Sequence, residues 1–360
     1  MGSAEQKLIN EYRQLRDMYL ELDSYIYDIL ERAVREHNLF VLDISHRVKG
    51  VESLRGKFDR KMGKYKKLSE ITDLVGFRII PFFSDAVDEV TSFLPEYFVI
   101  DEENSVDKRK SLTATEFGYV SVHYICSLKE ADLEKHPEFR NIRFEIQLRS
   151  VLQHAWAEIE HDLGYKAEFG IPVPMRREFS RVAGLLEIAD NQFIELREGI
   201  RKYEFEVKEK IRNDEAGEIT IDRVSLREFV SLNTNFRNLL DAVSEVTGVE
   251  IQIIDPVNYL QSLAFLNIKT LGDLTSLVEN NKAEAVKECI TELKLMELDI
   301  TTSNMIIRCL CKAEIERMKY PEDFVREFLC LSVGDPERVE KYVSQYLNNI
   351  NNRSDLNEQG

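Results

Sequence analysis

The chain has 360 residues, 43% hydrophobic and 31% charged, with Gly 15 and Pro 8, so it can build one large or two moderate domains around apolar cores and leaves little room for disorder beyond its termini. A formal net charge of -17 argues against a surface that wraps nucleic acid indiscriminately, although a local basic cleft can coexist with it. Five cysteines (126, 289, 309, 311 and 330) are odd in number and lack paired metal-ligand spacing; with no run of about 18 apolar residues and no secretion signal, a soluble protein of the reducing cytoplasm is expected.

From Glu5 to about Asn38, apolar residues recur every three or four positions, which predicts one long amphipathic helix. A short extended run at 39–44 follows, then Ser45-His-Arg-Val-Lys49 as a junction, then a helix from Val51 to about Met62. Residues 71–83 read as a turn and a strand ending at Pro81, 85–94 as a helix and 98–100 as extended. From Asp101 periodicity is lost in a charged stretch, read as a mobile loop. Residues 120–128 and 142–148 are strand-like, and period two in the second places Glu145 and Gln147 on one face with Arg143 and Arg149 available to it. The next helix has a core stripe of Leu152, Trp156, Ile159 and Leu163, with His154, Glu158 and His161 on an adjacent face.

Gly164 and the Pro172, Pro174 pair precede a long helix over about 175–211, and the punctuation near 213–217 suggests a domain boundary. Beyond it, helices are expected at 225–245, 271–278, 283–296, 303–316, 321–331 and 336–347, with a short strand at 249–254 and a fraying tail from Asn348. The expected fold is α+β, a mixed β-sheet flanked by helices over 5–212, followed by a mostly helical accessory domain over 219–350.

Asp73 and Glu145 are the favoured carboxylates for a hard divalent cation, because Mg²⁺ prefers oxygen ligands and keeps waters and phosphate oxygens as well. An Asp in Thr-Asp-Leu serves equally as a cap or turn residue. Arg47, Lys49, Ser53 and Lys57 can gather cations at one end of the second helix, against the common alternative of a solvated helix end. In Phe117-Gly-Tyr-Val-Ser-Val-His123, alternation puts Tyr119, Ser121 and His123 on one face, where Tyr119 could stack on a base; the plain alternative is an aromatic on a strand's wet side. The helix-face trio of His154, Glu158 and His161 lacks further ligands for zinc. His154 is read as substrate-facing and His161 as structural or as a support for residues that touch the substrate. The cysteines have no partners for nucleophilic catalysis.

In chain order, Arg47-Val-Lys49 with Ser53 and Lys57, Ile71-Thr-Asp73-Leu-Val-Gly-Phe-Arg78, Gly118-Tyr119-Val-Ser121-Val-His123, and Glu145-Ile-Gln147-Leu-Arg149 followed by His154-Ala-Trp156-Ala-Glu158-Ile-Glu160-His161 resemble the synthetase domain of the RelA/SpoT family, with its nucleotidyltransferase-like fold. The resemblance implies a GTP pyrophosphokinase that moves the β,γ-pyrophosphoryl group of ATP to the 3′-hydroxyl of GDP or GTP, giving ppGpp or pppGpp and AMP. It further implies that Arg47 and Arg78 sandwich adenine, and that Lys49, Ser53 and Lys57 meet the ATP phosphates. Asp73 and Glu145 would manage Mg²⁺, Tyr119 would stack on guanine, Gln147 and His154 would lie along the acceptor, and His123 would touch phosphates. Glu145 would also help take the 3′-hydroxyl proton. His154 stands where many small synthetases carry Asn, which leaves acceptor choice open, and the family's hydrolase domain is absent, which implies synthesis without built-in degradation.

Two other functions compete. Lys64, Lys66, Lys67 and Lys108-Arg-Lys110 motivate a toxic synthetase that modifies the 3′ end of tRNA, which the acidic balance disfavours. A catalytically inactive nucleotide-sensing protein is disfavoured by the two retained carboxylates. The accessory domain can serve restraint, a protein partner or self-association into a homo-oligomer; no membrane association is expected.

Overall fold

The computed structural model describes residues 3–61, 63–111, 121–165, 173–296, 298–332 and 336–357. They form two compact units, Met1–Arg197 and Glu198–Gly360.

The first unit comprises α1 (Ser3–Gln14), α2 (Arg16–Glu36), β1 (Val41–Val48), α3 (Val51–Arg60), β2 (Val75–Pro81), α4 (Ala86–Tyr97), β3 (Phe98–Ile100), β4 (Val106–Asp107), β5 (Val122–Leu128), α5 (Glu130–Leu133), β6 (Phe144–Leu148), α6 (Val151–Tyr165) and the first part of α7 (Val173–Arg212). Its sheet has the order β1-β2-β6-β5-β3, with β4 also on β5. The β2–β6 pair is parallel and the others are antiparallel, so this is the mixed sheet expected.

One face of that sheet is the core. Phe77, Ile79, Phe144, Ile146 and Leu148 point into it and join Leu22, Ile26, Leu30 of α2 and Val90, Leu94 of α4. Phe144 meets Phe77 and Phe98 edge-on at ring-centroid distances of 5.9 and 5.3 Å, a geometry worth about 0.5–1.5 kcal/mol per pair beyond the area buried. Because side chains alternate along a strand, burying this set turns the intervening polar residues of β1, β2, β5 and β6 to the other face.

Three readings of this unit change. The single N-terminal helix is two segments meeting at Leu15, although i to i−4 bonds continue on both sides (Leu15 N–H to Glu11 O and Tyr19 N–H to Leu15 O, each 3.1 Å). Ser45–Val48 belongs to β1 rather than to a junction, because each of these residues pairs with β2. The stretch after Asp101, read as a loop, holds β4 and a short helical turn in its described part up to Ser111: Asp101 accepts from Asn104 and from Arg143 (2.8 Å), and Asp107 accepts from Arg109 just beyond β4.

The second unit holds the last part of α7, α8 (Arg223–Leu232), α9 (Thr234–Thr247), β7 (Glu250–Gln252), α10 (Leu260–Phe265), α11 (Leu271–Met296), β8 (Ile300–Thr302), α12 (Ser303–Met318), α13 (Glu322–Ser332) and α14 (Pro336–Asn357). It is mostly helical, as expected, around a core including Phe229, Leu239, Val278, Leu310 and Phe328. The expected helix over 225–245 is split at Asn233, whose side chain caps α9 by accepting from Phe236 N–H at 2.9 Å. The two helices expected over 271–296 are one, because the polar Asn281 at the seam is buried with its amide donating to Leu277 O and Glu314. The strand β8, paired in parallel with β7, had no clear sequence signal, and α14 continues through the tail to Asn357.

Candidate active site

The strand register places the polar residues in rows. Ser45 pairs with Arg78, Arg78 with Gln147, and Gln147 with His123, so four strands put four polar side chains abreast. The neighbouring row contains Arg47, Gly76 and Glu145. Asp73 lies in the turn just before β2. Ser45, Arg47, Asp73, Arg78, Glu145 and Gln147 line a cleft of about 190 Å³. A side chain at Gly76 would project over this floor, where no heavy atom lies within 4 Å.

Two lysines grip Asp73. Lys57, from the last turn of α3, reaches its Oδ1 at 2.5 Å, and Lys49, from the β1–α3 connection, reaches Oδ2 at 2.9 Å. Burial pushes the Asp73 carboxyl up, but the bonds and charges of Lys57 and Lys49 together outweigh it and hold the group below its ordinary range. Ser53 is exposed in the first turn of α3, which starts without a side-chain cap at Gly50.

Glu145 is held from the side. His123 Nδ1 lies 2.7 Å from its Oε1, and Gln147 Nε2 donates to its Oε2 at 3.0 Å. The other nitrogen of His123 is 2.8 Å from the buried Ser121 hydroxyl. An ionised carboxylate only accepts, so the Nδ1 proton faces Glu145. Burial raises the Glu145 carboxyl and so does the negative charge of Asp73, yet His123 and Gln147 prevail and its pKa is lowered. Both carboxylates are therefore ionised at neutral pH.

A third group sits at the edge of the cleft. Arg78 donates to Glu158 of α6 at 3.1 Å, and Glu158 also lies 3.6 Å from His154 Nδ1 and 3.7 Å from Arg149. Desolvation and the charges of Arg149 and Arg78 push the His154 pKa down.

The structure thus gathers Arg47, Asp73, Arg78, Glu145 and Gln147 in one cleft, with Lys49 and Lys57 on Asp73, His123 on Glu145 and Ser121 on His123, and His154 joined to Arg78 through Glu158. Tyr119 and Gly118 lie outside the described residues. Sequence reasoning missed Ser45, because β1 was ended too early for its alternation with Arg47 to show. It also missed Glu158 as a shared partner, although its i, i+4 spacing from His154 was visible.

For a metal, the donor chemistry fits a hard cation. Two ionised carboxylates share the cleft, and the negative charge of Asp73 disfavours ionisation of Glu145, which a cation near both would relieve. Among the described residues, no cluster of three or more His, Cys, Asp or Glu side chains forms a metal cage. Such a pair suits Mg²⁺ bound jointly with water and phosphate oxygens.

Residues 46–169 match the family model described as a region found in RelA / SpoT proteins. This segment is similar to the RelA/SpoT region. It contains the candidate residues named above except Ser45, which lies one position before it. Similar curated proteins include GTP pyrophosphokinase YjbM of Bacillus subtilis, 27% identical over 177 residues (48% of this chain, 79% of the relative), and GTP pyrophosphokinase YwaC of the same organism, 29% identical over 161 residues (43% and 71%). Among solved structures, small alarmone synthetase 2 from Bacillus subtilis aligns with TM-score 0.44 at 22% identity, covering 52% of this chain and 99% of that one. Small alarmone synthetase 1 from that organism, bound to its product pppGpp, aligns with TM-score 0.43 at 22% identity (54% and 99%). The RelA/SpoT region lies wholly in the first unit. No helix among the described residues is long and apolar enough to cross a membrane.

Proposed function

We propose that the chain is a GTP pyrophosphokinase, with a synthetase domain over about 5–212 and an accessory domain over about 219–350. It transfers the β,γ-pyrophosphoryl group of ATP to the 3′-hydroxyl of GDP or GTP. The observation that carries this reading is that the residues of separate RelA/SpoT motifs, Arg47, Asp73, Arg78, Glu145 and Gln147, line one cleft. Proteins named GTP pyrophosphokinase are its relatives, which supports the same chemistry.

In this reading Arg47 and Arg78 flank the adenine, where guanidinium planes can stack on a base. Lys49, Lys57 and Ser53 meet the triphosphate, and the ammonium groups that hold Asp73 are the cations available to phosphate oxygens. Tyr119 stacks on the acceptor guanine, with Gln147 and His154 along it. Glu145, ionised and oriented by His123, accepts the 3′-hydroxyl proton as the oxygen bonds to the β-phosphorus and the bond to the α-phosphate oxygen breaks, releasing AMP. Asp73 and Glu145 would hold Mg²⁺, which would supply charge neutralisation on the phosphates. The contribution of the protein is position and electrostatics, with no covalent intermediate.

The test is labelled ATP with Mg²⁺ offered in parallel to GDP, GTP and bulk tRNA, with products separated. AMP together with a guanosine 3′-pyrophosphate is expected. Label on tRNA would make it a tRNA-modifying enzyme, and nucleotide binding without AMP under any acceptor would make it a sensor. The reading places the protein in the cytoplasm.

A further inference from the structure

Lys49 is fixed at more points than its side chain alone explains. Its N–H donates to Leu74 O at 2.8 Å, beside Asp73, and its ammonium binds Asp73 at 2.9 Å. Its carbonyl is held from the opposite direction. The hydroxyl of Tyr12, on α1, donates to Lys49 O at 2.5 Å, and Arg16 at the start of α2 adds a longer bond of 3.3 Å. Lys57 grips the same carboxylate, while its own carbonyl accepts from Lys61 N–H within the end of α3.

Tyr12 is built for this task. Its side chain is fully buried, its ring packs on Tyr19 at 5.4 Å, and burial raises the pKa of its hydroxyl, so it remains a protonated donor. A peptide unit is planar, so holding the Lys49 carbonyl sets the plane of the Lys49–Gly50 peptide from which α3 departs. Torsion of that peptide would shift the point from which the Lys49 side chain starts, and its long flexible stem would then hold the ammonium on Asp73 for a smaller fraction of the time.

We propose that Tyr12, assisted by Arg16, is a positioning residue that acts through the Lys49 backbone to hold the Lys49 ammonium at the Asp73 end of the cleft. This deepens the proposed function by placing part of its phosphate-binding geometry in the N-terminal helices, outside the 46–169 RelA/SpoT region. Tyr12 does not line the cleft and needs no contact with a substrate.

The test uses Tyr12→Phe in the full chain, which keeps the ring and removes only the donor. The first measurement is competitive labelling of lysine amines read by mass spectrometry, and it does not depend on activity. Lys49 and Lys57 have similar side-chain exposure, 14% and 16%, so Lys57 is an internal control. In the variant, Lys49 labelling should rise roughly threefold with Lys57 nearly unchanged, since only the tethered lysine loses a constraint. An equal rise in both, or no rise in either, overturns the proposal.

The second measurement is kinetic. Tyr12→Phe should lower kcat for synthesis about tenfold in the native background and less than about twofold when Lys49→Met is already present, because residues acting as a unit are not additive. An equal fractional loss in both backgrounds overturns the proposal. Wild-type protein that makes no product from any acceptor sinks the proposed function instead, and the labelling result still decides the role of Tyr12.

Discussion

His123 and Glu145 meet diagonally across β5 and β6. Their bond is 2.7 Å long although the register pairs His123 with Gln147 and Glu145 with Ile125. Ser121 on the far side of the ring fixes its orientation, so the imidazole is held to aim one N–H at the carboxylate. His123→Ala should therefore reduce kcat by about 10²-fold with little change in folding, and Glu145→Gln by more, since a positioned base contributes on that scale. Because His123 lowers the Glu145 pKa, its removal should also move the acidic limb of the pH–rate profile to higher pH. A limb that stays in place would show that His123 does not set the ionisation of Glu145.

The pairing of Asp73 has a consequence for stability. Its folded pKa lies below the ordinary value of 3.8, so the unfolded chain takes up the proton first on acidification. The stabilisation is fully present above about pH 5 and is lost as pH falls through 3.8 towards the lower folded value. Asp73→Asn leaves two ammonium groups facing a neutral amide; synthesis should disappear, the melting temperature at pH 7 should fall, and the difference from wild type should shrink near pH 3. Thermal melts of both proteins from pH 7 to 3 check this.

Gly76 lies between Arg47 and Glu145 in register, with open space above it. Gly76→Val adds a β-branched residue that a strand accepts, so the melting temperature should hold, while the added methyl groups occupy the cleft. Affinity for a non-hydrolysable ATP analogue, measured calorimetrically, should fall at least about tenfold, the effect of about 1.4 kcal/mol.

His154 gives a second pH signature. Its folded pKa is below 6.5, so below that pH the unfolded chain binds a proton that the folded chain resists, and stability declines as pH falls from 6.5 towards the folded value. Glu158 opposes this shift, so Glu158→Gln should lower the His154 titration midpoint further, and His154→Gln should remove this component of the acid sensitivity. NMR titration of the six histidines reads the midpoint directly.

In the second unit, Glu292 of α11 pairs with Arg308 and with Lys312 (2.5 Å) of α12, and the Lys312 ammonium sits 3.8 Å above the Tyr342 ring. Removing the Glu292 charge takes the carboxylate from Arg308 and leaves Lys312 with the longer pair to Glu288 at 3.4 Å. Glu292→Gln should destabilise this unit by about 3 kcal/mol in a denaturant titration of the full chain.

Much of the architecture was legible because it follows from period. The alternation in 142–148 identified β6 and put Glu145 and Gln147 together, and the three-and-four spacing located the helices of both units. Boundaries were less legible where side chains make the decision. Asn233 ends one helix and starts another by capping, whereas the equally polar Asn281 sits within a continuous helix because Glu314, far along the chain, accepts its amide. Local composition treats those two asparagines alike. The charged residues just after Asp101 look aperiodic for the same reason, since their bonds reach to Arg143 and within their own turns.

For the candidate site, the order of residues alone specified which chemical groups are present and which strand faces carry them, because face is a property of the spacing along one segment. Their meeting was a matter of pairing between segments. Parallel registration of β2 on β6 sets Gly76 beside Glu145, antiparallel registration of β1 on β2 brings Arg47 to the same row, and the turn before β2 delivers Asp73 to two lysines. The grip of Tyr12 on the Lys49 carbonyl belongs to the same category: it joins residues 37 positions apart, and no spacing rule along the chain encodes a contact set by how a helix packs against a strand end.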